Sequence, residues 1–231
     1  MTNHNFEGQS EGDWDDRGNL SWSEVDWQQF LKRQEKEVAR FISFYDSCPV
    51  EQSERLDWVA RQMGWDTEDW SVSDFPDEDE DSEPWKPGDE DSREMPDNDP
   101  YTLHRHPVYV VTTGLYLQMR YFWRSILQRE EGRINPLLCW DFAETIAEAE
   151  KQTVMAMQSM DMADYLLCVI HMKRAMRGLN LAMSMVPQLM ATTKSAESYR
   201  NAFLVRFFDL REVCLRVMMD CREEEKRNYR D

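Results

Sequence analysis

The chain has 231 residues and a formal net charge of −18 at pH 7, from 45 Asp and Glu against 27 Lys and Arg. This charge argues against nucleic-acid binding as a primary role, because an excess of Lys and Arg is needed to neutralise phosphate groups. Five cysteines without a Cys-x-x-Cys pair favour a reducing, cytoplasmic setting, and no uncharged apolar run is long enough to predict a membrane-spanning helix.

The charge is divided unequally along the chain. Residues 1–100 carry 29 acidic and 9 basic side chains, whereas residues 101–231 carry 16 acidic and 18 basic ones. The first part also holds seven of the nine Trp, and the second part holds 12 of the 15 Met. This division predicts an acidic, Trp-bearing arm followed by a Met-rich packed body.

The arm begins with a stretch, residues 1–20, that has no apolar periodicity and is predicted to be a flexible tail. Ser21 and Glu24 form a capping-box pattern that predicts the start of a helix, and the Cys48-Pro49 step predicts its end. A second helix is predicted from Glu51 to Met63, with Gly64 as its C-terminal cap. Residues 21–73 are therefore predicted to form a Trp-rich helical hairpin.

Residues 74–100 read as a linker. They contain five Pro and 13 acidic residues and very few apolar side chains. Such a composition cannot bury enough apolar surface to offset the conformational entropy lost on folding. An acidic, disordered linker is the prediction.

Residues 101–231 are predicted to form four helices, at about Pro107–Arg129, Pro136–Met160, Ala163–Met190 and Ser195–Arg227. Their apolar residues recur at steps of three and four, and short breaks separate consecutive helices. These features predict an all-α fold in which an up-down four-helix bundle follows the hairpin. The Val-rich run at 107–113 is the one segment for which a strand is arguable.

The Trp residues of the arm are the candidate partner-binding residues. A small helical pair cannot bury so many large rings, and Trp is enriched among binding hot spots. The candidates are Trp22, Trp27, Trp58, Trp65, Trp70 and, within the linker, Trp85.

Five basic side chains of the body form a candidate basic patch. The alternative interpretation is that they are only a solvated surface. The patch would offer a surface that the acidic linker of the same chain covers. Its members are Arg120, Arg124, Lys173, Arg174 and Arg177.

His171 is the one histidine of the predicted helical core and shares a helix stripe with Ala175 and Gly178. Small residues at this spacing predict a close helix crossing with a hydrogen-bonded structural histidine. The competing interpretation is a catalytic group, with Cys168 three residues away. No cofactor or metal is expected, because a di-metal bundle needs Glu-x-x-His, and the residue three before His171 is Cys168.

The sequence favours a non-catalytic interaction or regulatory protein, in which a helical platform carries an acidic tethered arm. Its partner would be another protein or a second copy, bound through the Trp-rich hairpin or a Met-rich face of the bundle. Two alternatives stay open. One is an enzyme or toxin-like bundle with its site near His171. The other is an acidic mimic that occupies the basic, nucleic-acid-binding surface of a partner.

Overall fold

The computed structural model describes residues 22–50, 54–65, 70–71, 103–130, 133–191 and 196–228. Within these ranges the chain is helical and contains no strand, which confirms the all-α class. The helices are α1 (Glu24–Ser47), α2 (Arg55–Met63), α3 (Pro107–Arg129), α4 (Pro136–Asp161), α5 (Tyr165–Met190) and α6 (Ala196–Asn228), with a short 3₁₀ turn at Leu103–Arg105.

The predicted helix bounds in the body agree with the structure to within two residues. Pro107 and Pro136 each begin a helix, at the position where the missing N–H and the fixed φ of proline suit the helix start. The Val-rich run at 107–113 is helical and belongs to α3. Gly64 caps α2 in the left-handed region at φ 81°, as predicted.

The predicted capping box of Ser21 and Glu24 was wrong. α1 begins at Glu24, and the reciprocal cap is formed by Ser23 and Asp26. The Ser23 Oγ accepts from the Asp26 N–H at 3.3 Å, and the Asp26 carboxylate accepts from the Ser23 N–H at 2.9 Å. α2 likewise begins at Arg55 rather than at Glu51.

The chain divides into two compact units, Met1–Lys36 and Glu37–Asp231. The second unit has a continuous apolar core, to which residues 38–45 of α1, α2 and α3 to α6 all contribute. The predicted tail (1–20), the predicted linker (74–100) and the predicted boundaries between the domains lie outside the described residues.

In the second unit, α3 packs against α4 and α6, and α5 packs against the same two helices. Aromatic rings fill the centre of this group, where Phe142, Phe203 and Phe207 are fully buried and meet edge to face or stacked. Two fully buried methionines, Met119 and Met172, are also part of this core.

Two glycines allow close approach between helices. A Cβ on Gly114 of α3 would lie 2.7 Å from the Phe41 ring of α1. A Cβ on Gly178 of α5 would lie 2.9 Å from the Cβ of Ala149 on α4. Both distances are shorter than a van der Waals contact, so each crossing requires glycine, which has no side chain, at this position.

Candidate functional site

A buried polar network joins α1 and α2 to α6. The carboxylate of Asp209, on α6, accepts a hydrogen bond from the Tyr45 hydroxyl of α1. The same carboxylate oxygen accepts a bond from the Arg55 guanidinium of α2 at 3.0 Å. Asp209 is only 2% exposed, so these two donors stabilise a carboxylate that the core otherwise desolvates.

Arg206 extends this network to α3. Its Nε donates to the Gln118 Oε1 at 2.7 Å, and its terminal nitrogen donates to the Asp46 carboxylate at 3.0 Å. The Gln118 amide in turn donates to Asp46 at 2.8 Å. The Arg206 guanidinium also lies over the Phe122 ring, 4.5 Å from its centroid. We call Tyr45, Asp46, Arg55, Gln118, Arg206 and Asp209 the junction network.

Burial controls the electrostatics of this network. Burial and the neighbouring Asp209 carboxylate raise the pKa of Tyr45, so its hydroxyl stays protonated and acts as a donor. Burial also raises the pKa of Asp209 and lowers that of Arg206, because each charged form loses water. Opposite charges offset this cost only while all partners are present, so the network acts as an anchor between helices.

A second anchor lies further along α6. The Arg216 guanidinium makes two hydrogen bonds to the Asp57 carboxylate of α2, and these bonds lower the pKa of Asp57. The Trp70 indole N–H donates to the same carboxylate at 3.1 Å, with Arg216 stacked 5.5 Å from the Trp70 ring centroid. Ser71 donates to Asp220 at 3.0 Å.

The predicted partner-binding tryptophans differ sharply in their surroundings. Trp70 is buried, and Trp65 lies between it and Phe41, with ring centroids 6.2 and 6.4 Å away. Trp58 is half-buried against the same core. These three rings of the second unit are therefore occupied by packing within the chain.

Trp22 and Trp27 belong to the first unit and form a cluster with Phe30. The two indole centroids are 5.1 Å apart, and each ring meets Phe30 within 6 Å. Phe30 is fully buried, whereas Trp27 is 39% exposed. Trp85 lies outside the described residues.

The structure separates the candidate basic residues into two groups. Arg120 and Arg124 are exposed on α3, and Arg120 forms an ion pair with Glu150 of α4. Lys173, Arg174 and Arg177 are exposed together on α5, a helix without a single Asp or Glu.

His171 lies at the close crossing of α4 and α5. Its Nδ1 is 2.7 Å from the Gln152 Oε1, and the Gln152 amide donates to Glu148 at 2.8 Å. Because the Gln152 amide nitrogen is engaged by Glu148, its oxygen faces His171, which assigns the His171 proton to Nδ1. The side chain is 5% exposed and serves as a link between helices.

Cys168, the candidate catalytic neighbour of His171, is paired with another residue. A hydrogen bond with Cys221 of α6, together with burial, raises the pKa of the Cys168 thiol. Burial also raises the pKa of the nearby Cys214 to about 12. The raised pKa values disfavour the thiolate, which is the nucleophilic form of cysteine.

Two other kinds of site are absent from the described ranges. In that part of the chain, no group of three or more His, Cys, Asp or Glu is arranged to hold a metal ion. None of the described helices is both long and apolar enough to span a membrane.

No local sequence pattern predicts the junction network. Arg206 and Asp209 lie between the apolar positions Phe203, Phe207 and Leu210, and a polar pair at inward-facing positions is the signal that marks them. Their partners are 88 to 164 residues away along the chain, beyond the reach of any local pattern.

Comparisons of this chain with protein-family models, with curated proteins and with solved structures found no match.

Proposed function

We propose that this chain is a non-catalytic protein–protein interaction or regulatory protein. In this proposal α3 to α6 form an up-down four-helix bundle, α2 and the second half of α1 are fastened to it, and residues 74–100 are an acidic disordered linker. The free cysteines support a reducing, cytoplasmic setting.

Contacts between the helices support the bundle. Tyr116 of α3 meets Thr153 of α4 at 3.2 Å, and Arg120, one turn later, pairs with Glu150, which requires antiparallel helices. Gln152 and Ala149 of α4 meet His171 and Gly178 of α5, again in antiparallel order. The pairs α3–α4 and α4–α5 therefore run in opposite directions, which supports an up-down topology.

The exposed ring of Trp27 is the observation that carries the interaction proposal. Trp58, Trp65 and Trp70 contribute to the core of their own chain, so the partner-binding set narrows to Trp22 and Trp27. An indole that is 39% exposed and braced by two further aromatic rings is a rigid, amphipathic contact of the kind found at binding hot spots.

The state of the polar side chains supports a non-catalytic role. The Asp209 carboxylate receives its donors from within the chain, His171 is held by Gln152, and the Cys168 thiol is neutral. Each of these three side chains therefore links two helices.

The proposal is tested by replacing Trp22 and Trp27 with Ala in the intact chain. We expect the double variant to lose most of the proteins that co-purify with the wild type, because both hot-spot rings are removed. Trp140→Ala is the matched control, since Trp140 of α4 is another strongly exposed indole, 71% exposed, outside the first unit.

Co-purification is quantified by mass spectrometry, and helix content is checked by circular dichroism. Retention of the same proteins at the same yield by Trp22→Ala/Trp27→Ala contradicts the proposal. Equal loss in Trp140→Ala contradicts the assignment of binding to the first unit.

A further inference from the structure

The outer side of α5 and α6 combines basic and apolar side chains. Lys173 lies two residues after His171, which meets α4, so it projects from the opposite flank of α5. Phe208 lies two residues after Arg206, which meets α3, and projects in the same way from the opposite flank of α6. Each belongs to a stripe with steps of three and four, exposed throughout except for one half-buried arginine. The stripes are Leu166, Ile170, Lys173, Arg177 and Leu181 on α5, and Phe208, Arg211, Leu215, Met219 and Arg222 on α6. We call them together the α5–α6 face.

The two stripes form one surface, because α5 and α6 run antiparallel. A short connection joins the end of α5 to the start of α6, and at the other end of the pair Cys168 forms a hydrogen bond with Cys221. This register sets Ile170 level with Met219. Both stripes lie on the flanks that point away from α3 and α4, so they lie side by side on the outside of the helix pair.

The α5–α6 face is positively charged. α5 contains no Asp or Glu. The three acidic residues of α6 between Phe208 and Arg222 are engaged elsewhere, since Asp209 is buried, Glu212 accepts from Arg216, and Asp220 accepts from Ser71. Among the described residues, no ion-pair partner belongs to any of the four basic side chains of the face, which are Lys173, Arg177, Arg211 and Arg222.

Large apolar side chains separate these charges. Six of the ten residues of the face are large and apolar, and Met219, Leu166 and Leu181 are 55%, 53% and 50% exposed. Lines of exposed apolar side chains mark interaction surfaces. An occupant that complements this one carries many acidic groups and a few large apolar ones.

We propose that residues 74–100 of the same chain occupy the α5–α6 face. This segment carries 13 acidic and 2 basic side chains, together with Phe75, Trp85 and Met95. Its carboxylates pair with the four basic side chains of the face, and Trp85 packs among the apolar ones. The contact is made by side chains and needs no backbone hydrogen bonds, so the amides of the segment still exchange rapidly with solvent.

The attachment points of the segment place it within reach of the face. On one side of it, Ser71 donates to Asp220 of α6, and on the other side Leu103 opens the turn before α3. α3 and α6 run antiparallel, since Gln118 meets Arg206 and Phe122 meets Phe203. Both attachment points therefore lie at the end of the bundle that carries Met219 and Arg222.

The length of the segment is also sufficient. Residues 72–102 lie between the two attachment points, and a chain of this length can extend to roughly 100 Å. The face measures about 23 Å from Leu166 to Leu181 at the helical rise per residue. The segment can therefore leave α6, run along the face and return to α3.

Tethering and charge favour this segment over other occupants. A flexible tether gives an effective concentration on the order of 1 mM, which a free acidic partner rarely reaches. The α5–α6 face of a second copy has the same sign and would be repelled. A nucleic acid or an anionic membrane would meet a chain of net charge −18 and would have to displace the segment.

The test uses Lys173, the one lysine of the α5–α6 face. A carbodiimide joins a lysine amine to a carboxylate that contacts it, and mass spectrometry of the digested full chain identifies the joined peptides. The face variant is Arg177→Ser/Arg222→Ser. Arg174→Ser is the matched control, because Arg174 is an exposed basic residue of α5 whose charge acts on Glu148 of α4. Circular dichroism checks that each variant keeps its helix content.

We expect Lys173 of the wild type to be joined to acidic residues within 74–100 of its own chain. The yield should fall about fivefold in Arg177→Ser/Arg222→Ser, which removes two exposed charge contacts, and should also fall at high salt. Arg174→Ser should keep the yield of the wild type. Trp22 and Trp27 are unchanged in every variant, so the result is independent of the interaction proposed for them.

Four outcomes would overturn the proposal. The first is that Lys173 of the wild type is not joined to residues 74–100. The second is an equal yield in the wild type and in Arg177→Ser/Arg222→Ser. The third, in a mixture of isotope-labelled and unlabelled chains, is a link that always joins two different chains, which assigns the face to a second copy. The fourth is binding to vesicles of phosphatidylcholine and phosphatidylserine that the face variant loses, without any link to residues 74–100, which assigns the face to a membrane surface.

Discussion

Asp209 shows how a single buried carboxylate fixes the position of two other helices. Its donors, Tyr45 and Arg55, lie on α1 and α2, and both bonds end on the same oxygen. Removing one partner of a buried ion pair leaves the other charge uncompensated, which costs more than the pair contributes when intact. The packing of α2 and of the second half of α1 against α6 should therefore depend strongly on this one residue.

Asp209→Ala should lower the free energy of unfolding by about 3–5 kcal/mol, because the largely buried Arg55 guanidinium keeps its charge and loses its carboxylate partner. Tyr45→Phe should cost about 1–2 kcal/mol, since the ring remains and only one hydrogen bond is lost. Urea unfolding of both single variants and of the double variant measures the coupling between them.

Glu37→Ala is the control for this cycle. Glu37 pairs with Arg40 at 3.7 Å with both side chains about half exposed, so its loss should cost less than about 1 kcal/mol. An Asp209→Ala variant as stable as Glu37→Ala would contradict the anchoring role of the junction network.

Asp57 makes the free energy of unfolding depend on pH. Hydrogen bonds from Arg216, followed by the one from Trp70, hold the folded-state pKa of Asp57 below its ordinary value of 3.8. The unfolded chain therefore takes up a proton first as the pH falls. The stabilisation is present above pH 3.8 and is lost as the pH falls through the lower, folded-state pKa.

Asp57→Asn should lower the free energy of unfolding at pH 7 by about 1 kcal/mol, a modest value because the Asp57 side chain is partly exposed to solvent. The difference from the wild type should stay constant down to about pH 5 and shrink below pH 3.8, as the wild type loses the same charge. Chemical unfolding at a series of pH values measures this difference, and a gap that widens with acid would contradict it.

At the scale of the elements, two helix crossings depend on glycine. Because Gly114 of α3 has no side chain, the Phe41 ring of α1 packs directly against α3, where it is 1% exposed and stacked on Trp65. In the same way, Gly178 of α5 allows Ala149 of α4 to pack against α5. The first crossing holds α1 in place, and the second brings His171 within reach of Gln152.

Gly178→Ala should destabilise the fold by about 1–3 kcal/mol through overpacking, reduced by up to about 1 kcal/mol because Ala favours helix. Ala149→Gly in the same chain removes the clashing Cβ. The double variant should therefore be more stable than the sum of the two single effects, as measured by urea unfolding. Strict additivity would show that the two residues do not meet.

Helix bounds were predictable from the sequence, whereas helix docking was not. Pro107, Pro136, Asn135 and Gly64 mark the ends of helices through local stereochemistry, which any short window of sequence contains. The helix cap was predicted at Ser21 instead of Ser23, because each of these serines is followed three residues later by an acidic residue. The partners of Arg206 and Asp209 could not be found, because only the folded chain brings them together.

The candidate site was predicted only in part. The sequence identified the tryptophans as a group, but their burial depends on which face of α1 and α2 meets α6. Trp65 and Trp70 proved to be core residues, whereas Trp27 remains exposed.

At the scale of the whole molecule, α2 and the second half of α1 belong to the same compact unit as α3 to α6. α2 and residues 37–47 of α1 are held on α6 by the junction network, by the Asp57–Arg216 pair and by the shared core. Residues 74–100 are expected to connect this assembly without folding, since their composition offers little apolar surface to bury. In the proposed function, the half-buried Trp22 and the exposed Trp27 contact a partner.

Hydrogen exchange of the intact chain, followed by mass spectrometry, tests this arrangement most directly. The account predicts that amides of α2 and of residues 37–47 are protected to the same degree as those of α6, because these segments unfold together. It also predicts that residues 74–100 exchange at the rate of an unstructured peptide. Rapid exchange in α2 beside a protected α6, or protection within residues 74–100, would contradict the account.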